Sequence, residues 1–408
     1  MSTLQNTLDR ALQGVPYQLL ANSIQDIMLR QGITLSSRER EQLIAQIKNG
    51  SDDVFRLRRW RWWEKQHVKI EFTEADAKAI TERFTEFIET QLPELIVSAV
   101  EELSTGILRT LHHNWQAEFR LQERERRGFE KRLRQRWGEA INLLRMMLTL
   151  SRELGEMTRN SIADDPDFAS PFLLDVLTRL HARACQVTDE IVCLLRSGFA
   201  DGAMARWRTL HEIAIVAFLI QQNGEDLAKR YVDHQVVESF RAAKDYRECS
   251  ERLGYETMTA TEFEEIRKAH EDVIQRYGDT FKEQYGWAAD ALGKKKPFLK
   301  DIERAAGIDH LRAHYRMASH NVHANPKGVF FKLGLFDEAD VLLAGPSNAG
   351  LTDPGHSAAI SLLHVSVAQG MIQPNLDSLV GLRILSSLTD EIGEAFHSAH
   401  LQLAEESG

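Results

Sequence analysis

The sequence predicts a mainly α fold: a multi-helix bundle with one short β-hairpin near residues 329–344 and a small helical module at the N-terminus. Three observations predict it. Apolar residues recur three and four positions apart over most of the 408 residues, proline occurs only nine times, and a single stretch, directly after Pro326, carries a β signal. The 43% hydrophobic and 27% charged content is that of a folded chain able to bury a large core, long enough for two or three domains.

The elements follow in order. Leu4, Leu8 and Leu12, then Leu19, Ile24, Ile27 and Met28, mark two short helices, and Ser36 or Ser37 caps a third; together they make a helical module over residues 1–50. Residues 51–136 read as a helical connector. It opens on the basic and aromatic run Val54 to Lys65, continues through Ile80, Phe84, Phe87, Ile88 and Leu92, and restarts at Pro93, a residue suited to a first helical turn. From Glu118 to Arg136 the helix is almost wholly charged, arginine interleaved with glutamate at ion-pair spacing.

A main helical domain is expected over residues 137–402. Trp137, Ile141, Leu144, Met147 and Leu148 form its first apolar stripe, and the Pro/Asp-rich break from Asp164 to Pro171 ends that helix. The next helix carries Leu174, Leu177, Leu180, Ile191 and Leu195, and Ser197-Gly198 with Gly202 marks the following turn. A helix from about Ala203 leads through Arg206, Trp207, Arg208, His211 and Glu212 into the apolar run Ile213–Ile220. Further helices are expected at about 225–252, 261–278 and 308–323, with two closing helices at about 355–371 and 375–402. Between them, Val329-Phe330-Phe331-Lys332-Leu333 and Asp340-Val341-Leu342-Leu343 flank the turn-like Asp337-Glu338, which is the expected hairpin.

Net charge is −10, which argues against whole-surface attraction to nucleic acid while leaving room for a local basic patch. Cys185, Cys193 and Cys249 show neither disulfide-framework nor zinc-knuckle spacing, so a reducing cytoplasm is the expected compartment. The first ten residues lack a basic start followed by an apolar run, and the most apolar stretch, Ile213–Ile220, is far shorter than the roughly 20 residues a bilayer crossing needs, so neither export nor membrane insertion is expected. No glycine-rich phosphate loop follows a strand, and no histidine spacing matches a metalloprotease helix, so neither a cofactor nor a metal is expected.

The richest chemistry lies between Tyr315 and Gly328. Arg316, Ser319, His320 and His323 project from neighbouring parts of one helical face, with Asn321 between them, and the helix should end by Asn325 because a residue before proline avoids the α region. Metal-independent RNA cleavage needs a base for the 2′-hydroxyl, an acid for the leaving oxygen and positive charge at the phosphate; His320, His323 and Arg316 can supply them. The same residues can equally form a buried structural set, Ser319 bonding its own helix and Arg316 pairing with an acid. Arg208 and Glu212 are an i to i+4 pair beside His211, at the head of a buried run, and Glu212 is a candidate to orient an imidazole of the later helix. Arg58, Arg59, Arg61 and Trp62 form a candidate RNA contact, or alternatively a buried docking surface between modules.

The segments Leu195–Glu212 and Tyr315–Ala324 resemble the bacterial domain-of-unknown-function 5677 family, over roughly residues 137–370. A looser resemblance is to the HEPN superfamily of helical ribonucleases, whose signature is an arginine, four to six residues, then a histidine; Arg316 and His323 enclose six. Met317 stands where a polar residue commonly follows the arginine. The HEPN resemblance implies metal-independent RNA cleavage, a homodimer that joins two such helices, and a role in toxin or antiviral defence systems. Two expectations therefore stand side by side: an RNA-cleaving protein, or a non-catalytic helical interaction or regulatory module built on a buried polar network.

Overall fold

The structure, a computed structural model, describes residues 4–50, 54–56, 67–69, 71–323, 325–335 and 342–407. The chain divides into two compact units, Met1–Leu121 and Gln122–Gly408.

In the first unit, helices α1 (Leu4–Leu12), α2 (Val15–Arg30) and α3 (Ser37–Lys48) precede a short antiparallel pair, β1 (Val54–Arg56) with β2 (His67–Lys69), in the register Phe55 opposite Val68. Helix α4 (Glu74–Glu86) runs through a π-helical turn, Phe87–Gln91, into α5 (Leu92–Ala163), which continues into the second unit. Local chemistry sets two of these starts. Ser36 and Thr73 each accept the backbone N–H three residues on, from Glu39 and Asp76, whose carboxylates reach back to the cap. Asp76 also takes a hydrogen bond from Arg30 at 2.8 Å, tying α4 to α2, and a small core of Ala21, Ile24, Ile27, Met28 and Leu43 fills the space between α2 and α3.

In the second unit, α6 (Pro171–Arg196) follows the break at 164–170 and α7 (Ala200–Asn223) follows a left-handed turn at Gly198, whose φ is +77°. The first amides of α6 are capped from a distance: the Glu225 carboxylate accepts Phe172 N–H at 3.1 Å and Leu173 N–H at 2.8 Å. Then come α8 (Glu225–Asp233), α9 (Gln235–Leu253), α10 (Ala260–Tyr277), α11 (Leu299–Ala306), α12 (Arg312–Val322), α13 (Pro326–Phe330), α14 (Thr352–Gly370) and α15 (Leu376–Ser407).

Helix α7 is the axis of this unit, packed against α6, α14, α12 and α11. Trp207, Leu210, Ala214, Ile215, Ala217 and Ile220 are buried along it, which is why its sequence is apolar nearly all round after Glu212. Trp137 donates its indole N–H to Asn348, and Phe396 lies so close to Gly355 that a Cβ there would sit 2.3 Å from its ring.

The β-hairpin expected at 329–344 is not formed. Asn325 caps a new short helix by accepting Gly328 N–H at 2.9 Å, Pro326 occupies its first turn, and Val329 and Phe330 are helical. No strand occurs among the described residues of this stretch, whereas 336–341 lie outside them. The β-branched and aromatic composition of Val329-Phe330-Phe331 was a genuine strand signal, overridden by a local cap and a proline.

Candidate functional site

Helix α12 carries the residues singled out in the sequence, and the structure divides them into two sets. One set is spent inside the protein. Tyr315 is buried and lies between two guanidinium groups, Arg208 at 5.0 Å and Arg312 at 5.8 Å from its ring centre. Its hydroxyl donates to Glu212 at 2.5 Å and accepts from Arg208 Nε at 2.9 Å, while Arg208 and Glu212 form the expected i to i+4 pair at 3.2 Å. Burial and the Glu212 carboxylate both hold the Tyr315 phenol above its ordinary range, so it remains a neutral donor at any working pH.

One helical turn away, His211 and Glu303 are almost completely buried, at 0% and 1% side-chain exposure. His211 Nε2 lies 3.2 Å from Glu303, whose other oxygen binds Arg312. A carboxylate only accepts, so the proton of His211 sits on Nε2, and its buried Nδ1 has no hydrogen-bond partner. Burial lowers the His211 pKa and outweighs the opposing pull of Glu303. Trp207 stacks on the same imidazole at 5.3 Å. Helices α7, α11 and α12 are thus pinned together by Arg208, His211, Glu212, Glu303, Arg312 and Tyr315. Glu212 accepts a phenol where an imidazole of the later helix was expected.

The other set faces outward. Arg316 and His323 are exposed, and neither side chain makes a hydrogen bond or ion pair with another described residue. His323 has left the helix, with extended backbone at φ −106°, ψ 141°. Ser319 is half-buried and donates to the Tyr315 carbonyl at 2.9 Å, a bond within its own helix. Asn321 is half-buried on the same helix.

His320 is the best positioned imidazole. Asn325 Oδ1 accepts Gly328 N–H, which turns the amide so that Nδ2 meets His320 Nδ1 at 2.9 Å. Asn325 therefore donates to Nδ1, and the neutral ring carries its proton on Nε2. Gly328 permits the turn: a Cβ there would come within 1.9 Å of the His320 carbonyl oxygen. The helix stops at Val322 and Asn325 is extended, as the Asn-Pro junction predicts.

Arg58, Arg59, Arg61 and Trp62 lie outside the described residues. Among the described residues no group of three or more His, Cys, Asp or Glu is placed to hold a metal ion, and no helix is long and apolar enough to cross a membrane.

Sequence reasoning missed Glu303 and the whole of α11. It also missed a second buried polar cluster, in which Ser151 Oγ lies 3.1 Å from His181 Nε2 and 2.8 Å from Ser366 Oγ, with Gln369 donating to the Gly155 carbonyl at 3.1 Å. The small-residue pattern Ser-x-x-x-Gly at 151–155 was the available signal. A Cβ at Gly155 would meet the His181 ring at 2.4 Å.

Residues 174–340 match the family model described as a family of unknown function, DUF5677, and this stretch contains α7, α11 and α12 together with both sets of side chains. No curated protein and no solved structure matches the chain.

Proposed function

We propose that the chain cleaves RNA, with Arg316 and His323 at the reacting phosphodiester and His320 beside them. The observation that carries this is the division of labour on α12. The buried face is locked by Tyr315 and Arg312, whereas the side chains of Arg316, on the helix, and His323, just past its end, are exposed and unpaired among the described residues. A guanidinium engaged in a structural ion pair is a poor phosphate ligand; this one is available.

The reaction follows from the chemistry of the side chains. His323 takes the 2′-hydroxyl proton, the 2′-oxygen attacks phosphorus, and the bond to the 5′-oxygen breaks, leaving a 2′,3′-cyclic phosphate. His323 passes that proton on to the departing 5′-oxygen, while the His320 Nε2–H donates to a phosphoryl oxygen and Arg316 neutralises the charge that builds there. The resemblance to HEPN ribonucleases supports a toxin or phage-defence role and a homodimer. Three free thiols, Cys185, Cys193 and Cys249, fit a cytoplasmic setting.

The test is total RNA incubated with purified protein in the presence of a chelator. Fragments ending in 2′,3′-cyclic phosphate should appear and be reduced at least about a hundredfold by His323→Ala and by Arg316→Ala. Undiminished cleavage by His323→Ala would remove the assignment.

A second reading is favoured by a different observation: Arg208, His211 and Glu212 are all consumed in the buried network. On that reading the chain is a non-catalytic interaction or regulatory module, and purified protein leaves RNA intact while losing stability when the network is cut.

A further inference from the structure

The first third of α5 is a long helix whose apolar side chains stand largely exposed among the described residues. Ile96, Val100, Leu103, Ile107, Leu108, Leu111, Trp115 and Phe119 are 36–60% exposed. That is abnormal for a helix with so broad an apolar face, since such a stripe normally lies on a core.

The pattern itself indicates what covers it. The side chains fall into two adjacent rows of four-residue spacing, Leu92-Ile96-Val100-Ser104-Leu108 and Leu103-Ile107-Leu111-Trp115-Phe119. Reversing the helix end for end exchanges the rows: Leu92 takes the place of Phe119, Ile96 of Trp115, Val100 of Leu111, Ser104 of Ile107 and Leu108 of Leu103. A surface that maps onto itself under reversal suits a two-fold contact, in which the same patch serves both partners. Rows of four-residue spacing pack into the matching grooves of a second helix at about 50°, with small Ser104 at the crossing where backbones approach most closely.

Charge selects the same direction. From Phe84 to Leu108 there are five glutamates and no lysine or arginine, whereas Arg109 to Arg127 contains five arginines and three glutamates. Antiparallel pairing sets each acidic end against the arginine-rich end of the other copy; parallel pairing sets like against like.

We infer that the 92–119 segment of α5 is a self-association surface, pairing antiparallel with the same segment of a second copy about a two-fold axis near Ser104 and Ile107. It does not involve the α12 residues, so its outcome is independent of RNA cleavage.

The experiment uses the full chain. Sedimentation across a concentration series should give twice the chain mass, and Leu103→Glu with Leu111→Glu should halve it without changing helical circular dichroism, because both side chains are already 46% and 60% exposed. Direction is read by cross-linking in a Cys193→Ser/Cys249→Ser background with a short bis-maleimide. The double variant Val100→Cys/Leu111→Cys should link between copies, and Val100→Cys alone should not. A monomer at all concentrations, a dimer insensitive to the two glutamates, or efficient linking by Val100→Cys alone would each overturn the inference. So would a monomer that binds phosphatidylglycerol vesicles through the same face.

Discussion

Replacing Glu303 with alanine tests the structural half of the site most directly. Its carboxylate is 1% exposed and accepts from both His211 and Arg312, so the substitution strands two donors at once. His211 is fully buried and its Nδ1 already lacks a partner, so losing Glu303 leaves the imidazole with no hydrogen bond to the protein. Removing one partner of a buried ion pair costs roughly 3–5 kcal/mol, and stranding a buried neutral donor roughly 1–3 kcal/mol. Arg312 is 34% exposed and can regain water, which places the expected loss at the lower end, about 3 kcal/mol. Glu303→Gln keeps the shape and one acceptor and should lose less. Urea unfolding followed through tryptophan fluorescence, with Trp207 stacked on His211, gives the difference from the shift in midpoint at constant slope. Arg316→Ala and His323→Ala, measured alongside, should stay within about 0.5 kcal/mol of the parent because neither is packed or paired. A loss below about 1 kcal/mol for Glu303→Ala would refute the reasoning, since no buried carboxylate holding two partners should be so cheap to remove.

Two further predictions concern pH and the turn after α12. Burial pushes His181 and His364 from their ordinary 6.5 down to about 4, so both are neutral when folded while the unfolded chain takes up protons below 6.5. Stability conferred by the neutral rings is therefore fully present above pH 6.5 and declines as pH falls toward 4, by up to roughly 3 kcal/mol for each ring. Melting temperatures measured from pH 7.5 to 4 should fall in the parent and fall less in His364→Gln; an equal slope would remove His364 from the account. Gly328→Ala places a Cβ 1.9 Å from the His320 carbonyl oxygen, so the turn must open, at a cost of about 2 kcal/mol. The Asn325 to His320 contact should then be lost, visible as a shifted imidazole resonance in proton–nitrogen spectra, and an unchanged resonance would show that the turn tolerates the methyl group.

Much of the helical framework could be read from local signals because those signals act locally. The Ser36 and Thr73 caps, the break at 164–170 and the Asn325-Pro326 junction each depend on residues within four positions, and each appears where chain chemistry places it. The hairpin failed for the same kind of reason: Val329-Phe330-Phe331 has strand composition, yet Asn325 caps a helix that begins at Pro326, three residues before the expected strand, and draws Val329 and Phe330 into it. Strand propensity reports fit to a neighbouring strand, and none is present among the described residues there.

For the site, the sequence by itself determined which chemically able side chains α12 would carry, that Arg208 and Glu212 would pair, and where the helix would end. It did not determine which of those side chains would be free. Glu303 lies 92 positions from His211 and Tyr315 lies 103 from Glu212, and only the packing of α7 against α11 and α12 brings them within hydrogen-bond distance. A buried hydrogen bond of this kind depends on which faces of distant helices meet and exclude water, a property absent from any window of sequence. That same packing turns Tyr315 and Arg312 inward and leaves Arg316 and His323 outside.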